Sequence, residues 1–278
     1  MARRNRQKQA GARPVVPSSP YINRNIGPLP VLSEEGLQTI EANADRILQD
    51  TGMEFRDDPE VIKIFAEAGC DIDGERVRFK PGFCRQIINA NAPSEFTQLA
   101  RNPERSVSIG GKSSVLCPSW GPPFVHDQDQ GRRYATYDDF LRLVKLHHTI
   151  PYLHHSGGVV CEPVDLPANK RHFDMLYAHI RWSDRPFMGA FIGEERAGHA
   201  IDMARIVFGA DVIEKTPALY CVSNTNAPLV MDAHMSGALK TYARACQPVA
   251  CTPWTLTGAM SPTTIAGTLA QVLAEALA

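Results

Sequence analysis

Four prolines constrain this chain more than any other feature. Pro151, Pro186, Pro217 and Pro248 recur at spacings of 35, 31 and 31 residues, and each leads into a short apolar run. The runs are Tyr152 to His155, Phe187 to Phe191, Ala218 to Val222 and Val249 to Thr252. Proline has a fixed φ and no N–H to donate, so it is accepted at the first residue of a strand and rejected inside a helix. Between the runs, apolar residues at helical spacing predict helices near 167–181, 194–208, 230–245 and 262–277. A strand–helix repeat of this length is the βα unit of a parallel sheet, and runs that are apolar throughout suit strands buried on both faces. The near-constant repeat favours a TIM-type (β/α) barrel within the α/β class. A dinucleotide-binding sheet would carry G-x-G-x-x-G after its first strand, and Gly157-Gly158 lacks that spacing. Four strands are visible, five if Val115 to Cys117 contributes, whereas a closed barrel has eight. Residues 111–278 are therefore expected to form the first part of a barrel, truncated, with the last helix lacking a stop signal.

The first third reads differently. Ser33 is a suitable N-cap with Glu34 and Glu35 in the first turn, and Leu37, Ile40, Ala44, Ile47 and Leu48 share one helical face. Asp58-Pro59 starts a second helix that Gly69 ends. Asp73-Gly74 lies between short apolar runs and predicts a hairpin turn. A short helix is expected over 81–89, then paired strands at Phe96–Leu99 and Val107–Ile109. Residues 33–110 are thus expected to be a small α+β region ahead of the barrel. Thr136 predicts the cap of a further helix, with Asp138 and Asp139 in its first turn.

Charge is uneven. Residues 1–33 hold six bases and no acid, which leaves 23 bases against 30 acids for the remainder, a net of −7. A mildly acidic body with a basic tail does not mark a nucleic-acid binder. Residues 1–32 are expected to be a basic disordered arm that gains order on a neighbouring subunit of a homo-oligomer. No apolar run reaches the length of a membrane span, and no apolar core follows the N-terminal charges as in a secretory signal. Seven cysteines without a C-x-x-C pair suit reduced thiols and a cytoplasmic location.

Candidate chemistry gathers where the strands end. His147, His148, His154 and His155 invite a metal site, as in a metal-assisted lyase. Adjacent residues point to different faces, however, so at most one of each pair can join a common centre. His155 is kept as a pocket candidate, and no metal ligand is assigned. Glu162 follows the same strand and suits orienting a cation, acting as a base or, equally, capping the helix near Pro167. Ser223 and Asn224 leave the third strand and suit a neutral or zwitterionic ligand, or equally a tight loop. Thr252 and Trp254 leave the fourth. An indole face attracts quaternary ammonium, although a tryptophan there also suits a lid over the core. The Gly/Pro-rich stretch 110–124 lacks the pattern of a phosphate cradle, and no nucleophile elbow, H-E-x-x-H or Walker loop is present.

Several separated motifs occur in order: Gly121-Pro122-Pro123-Phe124-Val125, Gly131-Arg132-Arg133, Cys161-Glu162-Pro163, Asp174 to Ala178, Ser223 to Leu229, Gly237 to Ala243, Gln247-Pro248-Val249 and Leu256 to Gln271. Together they resemble the trimethylamine methyltransferase family over nearly all of the chain after the arm. The resemblance implies a barrel that passes a methyl group from a methylated amine, trimethylamine or a quaternary amine such as glycine betaine, to Co(I) of a corrinoid (cobalamin) carried by a partner protein. No cofactor is then bound by the barrel itself, and the corrinoid protein docks over the barrel mouth. The resemblance also implies two branches, one with pyrrolysine in the later barrel and one without. Which branch applies is not decided by these residues, and an inactive partial product is the alternative.

Overall fold

The computed structural model describes residues 19–278, so most of the expected basic arm, including Arg3, Arg4, Arg6, Lys8 and Arg13, lies outside the described residues. Chain order begins with β1 (Ile22–Asn23), α1 (Glu34–Asp50), β2 (Met53–Arg56), α2 (Pro59–Glu67), β3 (Asp71–Asp73), β4 (Arg76–Arg78) and α3 (Phe83–Asn91). Next come β5 (Glu95–Gln98), β6 (Val107–Gly110), β7 (Ser113–Ser114), β8 (Phe124–Asp127), β9 (Gly131–Tyr134), α4 (Tyr137–Thr149) and α5 (Arg171–Trp182). The rest is β10 (Phe187–Met188), α6 (Glu194–Phe208), α7 (Ala210–Ile213), β11 (Leu219–Ser223), β12 (Val230–Asp232), α8 (Ala233–Arg244), β13 (Val249–Cys251) and α9 (Ile265–Leu277).

Local signals account for most of these boundaries. Ser33 Oγ accepts from Gly36 N–H at the start of α1, and Asp58 caps α2 with Pro59 at its first position. Thr136 and Asp139 form a reciprocal capping box on α4. The turn at Asp73-Gly74 joins the antiparallel pair β3–β4, and β5 pairs antiparallel with β6. Gly74 has φ +62°, a conformation that costs glycine nothing and most residues a good deal.

The protein is a mixed α/β structure with several small sheets. In one, β10, β11 and β13 run parallel in chain order, and α6 and α8 cover one face. Among the described residues the sheets do not close into a barrel. The first proline-led run, Tyr152 to His155, is not a strand. Its backbone is nonetheless tied on both sides: His154 N–H donates to Leu116 O, Ser156 N–H to Pro186 O, and Met188 N–H to Gly157 O. Strand edges with irregular spacing satisfy backbone groups without forming a regular ladder.

The β8–β9 hairpin and β12 depart from the sequence expectations. The hairpin begins inside the Gly/Pro-rich stretch, and β12 interrupts the expected helix over 230–245. β12 pairs in parallel with β2, so the first sheet of the N-terminal region has order β12-β2-β4-β3. α9 packs along α1, and Ala274 sits in the same cluster as Ala44, Leu48 and Phe55. The early and late segments are therefore interwoven. Ile22–Asn23 pair with Ser113–Ser114, and Arg24 donates to Gly111 and Lys112 carbonyls.

A polar clamp reinforces this weave. Asp58 accepts from Lys240 Nζ at 2.8 Å and from Ser236 Oγ at 2.5 Å, and Glu60 accepts from Lys240 and Arg244. Burial raises the pKa of the Asp58 carboxyl, but hydrogen bonds from Lys240, Ser236 and the Val61 N–H outweigh it and hold it below the usual value. Lys240→Met removes the cation from a nearly buried carboxylate. It is expected to cost about 3 kcal/mol in urea unfolding at pH 7, and a loss below about 1 kcal/mol would show that the clamp is only surface decoration.

Candidate functional site

Strand alternation sorts the side chains of the parallel sheet. Leu219 and Cys221 join the cluster under α6 and α8, so Tyr220 and Val222 face the other way. On that side the β5–β6 hairpin approaches the strands and leaves a cavity of about 410 Å³. Phe96 and Ile109 from the hairpin, Cys117, His155, Tyr220 and Val249 are among its lining residues, and none of the lining side chains is a carboxylate, ammonium or guanidinium.

His155 is fully buried. Its Nδ1 accepts from Gly157 N–H at 2.9 Å, so Nε2 carries the hydrogen and donates to Gln98 Oε1 at 3.2 Å. The Gln98 amide in turn donates to Phe187 O and Ala218 O. Burial, helped by His179, pushes the His155 pKa down to about 3, so the ring is neutral. The ring meets Tyr220 edge to face at 5.4 Å. Burial raises the Tyr220 phenol, and it pushes the Cys117 thiol up to about 11 against a lowering hydrogen bond from Tyr220. The cavity is therefore uncharged at neutral pH.

The other expected site residues are spread along the strand ends. Ser223 lies on the helix-facing side of β11, 2% exposed, and its Oγ has no hydrogen-bond partner among the described residues. Asn224 and Thr252 do come together: Thr252 Oγ1 donates to Asn224 Oδ1 at 2.5 Å, and Thr252 N–H donates to Ser223 O. Trp254 is 68% exposed, so it does not act as a lid over the core. Glu162 lies away from this group, in a second cleft, and pairs with Arg171 at 3.0 Å instead of capping α5. His154 Nδ1 accepts from Leu116 N–H. Among the described residues, no three His, Cys, Asp or Glu side chains converge as a metal-ligand set.

Sequence reasoning missed Gln98, Tyr220, Ser156 with His179, and Glu275. Tyr220 was detectable, since alternation from the helix-facing Leu219 puts it opposite. Gln98 carries no local signal, because its side-chain partners come from residues 57 to 120 positions away. His179 Nε2 donates to Gly158 O at 2.7 Å, and its Nδ1 accepts from Ser156 Oγ at 2.6 Å. Glu275 accepts from Thr225 Oγ1, Leu229 N–H and Gln271 Nε2, which secures the loop that follows Asn224.

Parallel βα units with a cavity beside the sheet define an α/β scaffold of the kind that carries enzymes. A model of the trimethylamine methyltransferase (MTTB) family matches residues 1–278, and the chain belongs to that family. It is 39% identical over 249 residues to a glycine betaine methyltransferase of Desulfitobacterium hafniense (strain Y51), covering 89% of this chain and 52% of that protein. It is 23% identical over 267 residues to a proline betaine:corrinoid methyltransferase of Eubacterium limosum, covering 93% and 54%. It is 24% identical over 253 residues to the trimethylamine methyltransferase MttB of D. hafniense (strain DSM 10664 / DCB-2), covering 88% and 50%. The chain thus spans about half the length of these curated relatives. Among the described residues, no helix is long and apolar enough to cross a membrane.

The two buried neutral histidines make stability depend on pH. The pKa of His155 is lowered to about 3 and that of His179 to about 4, each first by burial. Between those values and the ordinary histidine pKa the unfolded chain binds more protons, so stability is full above about pH 6.5 and falls as pH drops. Urea unfolding at pH 5 is expected to show a loss of about 2 kcal/mol per histidine relative to pH 7. A flat profile over that interval would contradict neutral burial of both rings.

Proposed function

We propose that the chain serves in methyl transfer from a quaternary amine of the glycine betaine type to the Co(I) of a corrinoid protein. The observation that carries this reading is the higher identity to the glycine betaine methyltransferase, 39% against 23% and 24% for the other two relatives. The site chemistry supports it. A trimethylammonium group is cationic but apolar in surface, and an uncharged cavity walled by Phe96 and Tyr220 offers it aromatic faces without a competing cation. On this reading the β10, β11 and β13 sheet is the first part of a TIM-type barrel and the cavity is its lumen, with residues 33–110 a small α+β region beside it. Asn224, Thr252 and Trp254, at the strand ends, form part of the mouth, and His155 shapes the floor.

One relative is named a proline betaine:corrinoid methyltransferase, and on this reading the corrinoid is presented by a partner protein and treated as the methyl acceptor. The corrinoid supplies the nucleophile when it docks. The chain's own role is to hold the ammonium, turn one N-methyl carbon towards the mouth and exclude water, which is positioning and electrostatics and not proton transfer. A cytoplasmic location suits that chemistry. A metal-assisted lyase finds no ligand set among the described residues.

The reading is tested by methyl transfer from glycine betaine, proline betaine and trimethylamine to a corrinoid protein reduced to Co(I), followed by loss of the Co(I) absorbance. Glycine betaine is expected to react fastest. Tyr220→Leu is expected to lower kcat/KM about tenfold, the size of a desolvated cation–π contact. No transfer from any of the three amines would sink the proposal.

A further inference from the structure

A second cleft, of about 90 Å³, lies between the loops that follow the first two proline-led runs and the starts of α5 and α6. That is several times the roughly 10–15 Å³ one water needs. Its floor is apolar, from Met175, Leu176, Met188 and Phe191, and its rim carries Glu162, Arg171, His172 and Arg196. The charge balance of this rim is positive.

Arg171 is already paired with Glu162 at 3.0 Å, so those two charges cancel. Arg196 has no carboxylate partner among the described residues and donates only to Ala168 O, at 3.2 Å. The rim therefore has a net charge of one positive unit. The starts of α5 and α6 both open towards this region, and neither has a side-chain cap, since Lys170 and Gly193 make no capping hydrogen bond. Their first turns carry Asp174, Glu194 and Glu195, and the Arg171 and Phe173 N–H groups already donate to Pro167 O and Lys170 O, so the positive character of the rim rests on Arg196 and not on the helix starts. His172 stacks on His199, with its Nε2 3.1 Å from His199 Nδ1, and its own Nδ1 has no accessible surface to offer a ligand. Glu195 and Asp174 act on His172 from nearby but do not line the cleft.

We infer that this cleft is a binding site for a small organic monocarboxylate with a branched apolar body, separate from the cavity beside Tyr220. The carboxylate accepts from Arg196, and the apolar body covers Met175, Met188 and Phe191. An ammonium is disfavoured, because Glu162, the one carboxylate lining the cleft among the described residues, already has its cation. The inference stands whether or not the methyltransferase reading holds, since none of its residues is used there.

Titration calorimetry of the 278-residue chain with isovalerate, isovaleramide, isoamylamine and inorganic phosphate provides the test. Isovalerate is expected to bind at least tenfold more tightly than the amide or the amine. Arg196→Gln is expected to weaken it about tenfold, the usual value of a charge-assisted hydrogen bond. Phe191→Ala, which removes part of the apolar floor, is expected to weaken it severalfold. Circular dichroism and a thermal melt establish that each variant is folded. Equal binding of isovalerate and isovaleramide, no binding of isovalerate, or an unchanged affinity in a folded Arg196→Gln chain would overturn the assignment. Phosphate binding as tight as isovalerate would overturn the apolar half of it.

Discussion

One buried side-chain amide determines how the segments of this protein meet. Gln98, fully buried at the end of β5, accepts from His155 and donates to the carbonyls of Phe187 and Ala218. It thus joins the hairpin to three successive proline-led segments. Each of those segments begins at a residue that cannot donate a ladder hydrogen bond, so the backbone groups there need other partners. Gln247 has the matching role at the next strand. It accepts from the N–H groups of Ala218 and Leu219 and donates to Ile213 O and Thr216 O. Removing either amide leaves several buried backbone groups unpaired, each costing about 1–3 kcal/mol. The strand starts, the hairpin and the orientation of His155 all follow from these two side chains.

With the strand starts held, the two cavities differ sharply in electrostatics. The one beside the sheet is lined by neutral groups only, because burial keeps His155 neutral and keeps Tyr220 and Cys117 protonated. The cleft near α5 and α6 has charges on its rim and an apolar floor. Such a separation suits two ligands of opposite character. In a low-dielectric setting an uncharged aromatic wall accepts a methylated cation, while an unpaired guanidinium requires an anion.

Much of the fold was legible in the sequence because it depends on local chemistry. The caps at Ser33, Asp58 and Thr136, the turn at Asp73-Gly74 and the helix over 194–208 each rest on residues close together in the chain. The candidate site was legible only in part. Asn224 and Thr252 share a hydrogen bond and Trp254 is exposed, but Glu162 faces another cleft and Ser223 points towards the helices. The position of a residue after a strand says which end of the sheet it occupies. It does not say which side its side chain takes, and that depends on register and on what packs behind the strand.

By itself, the sequence determined three of the four expected strands and their order, most of the helix boundaries, the lack of charge in the strands and the family. Those properties are set by proline geometry, by apolar periodicity and by caps that act over a few residues. Only the tertiary structure decided that β12 would leave the expected helix to pair with β2, that Gln98 would bridge three segments, and that Arg171 would claim Glu162. The first two are contacts between groups far apart in the chain, and the third depends on how the loop after Cys161 folds against α5. The physical reason is that burial leaves a polar group to find whichever partner the packing brings within reach, and no local pattern records that choice.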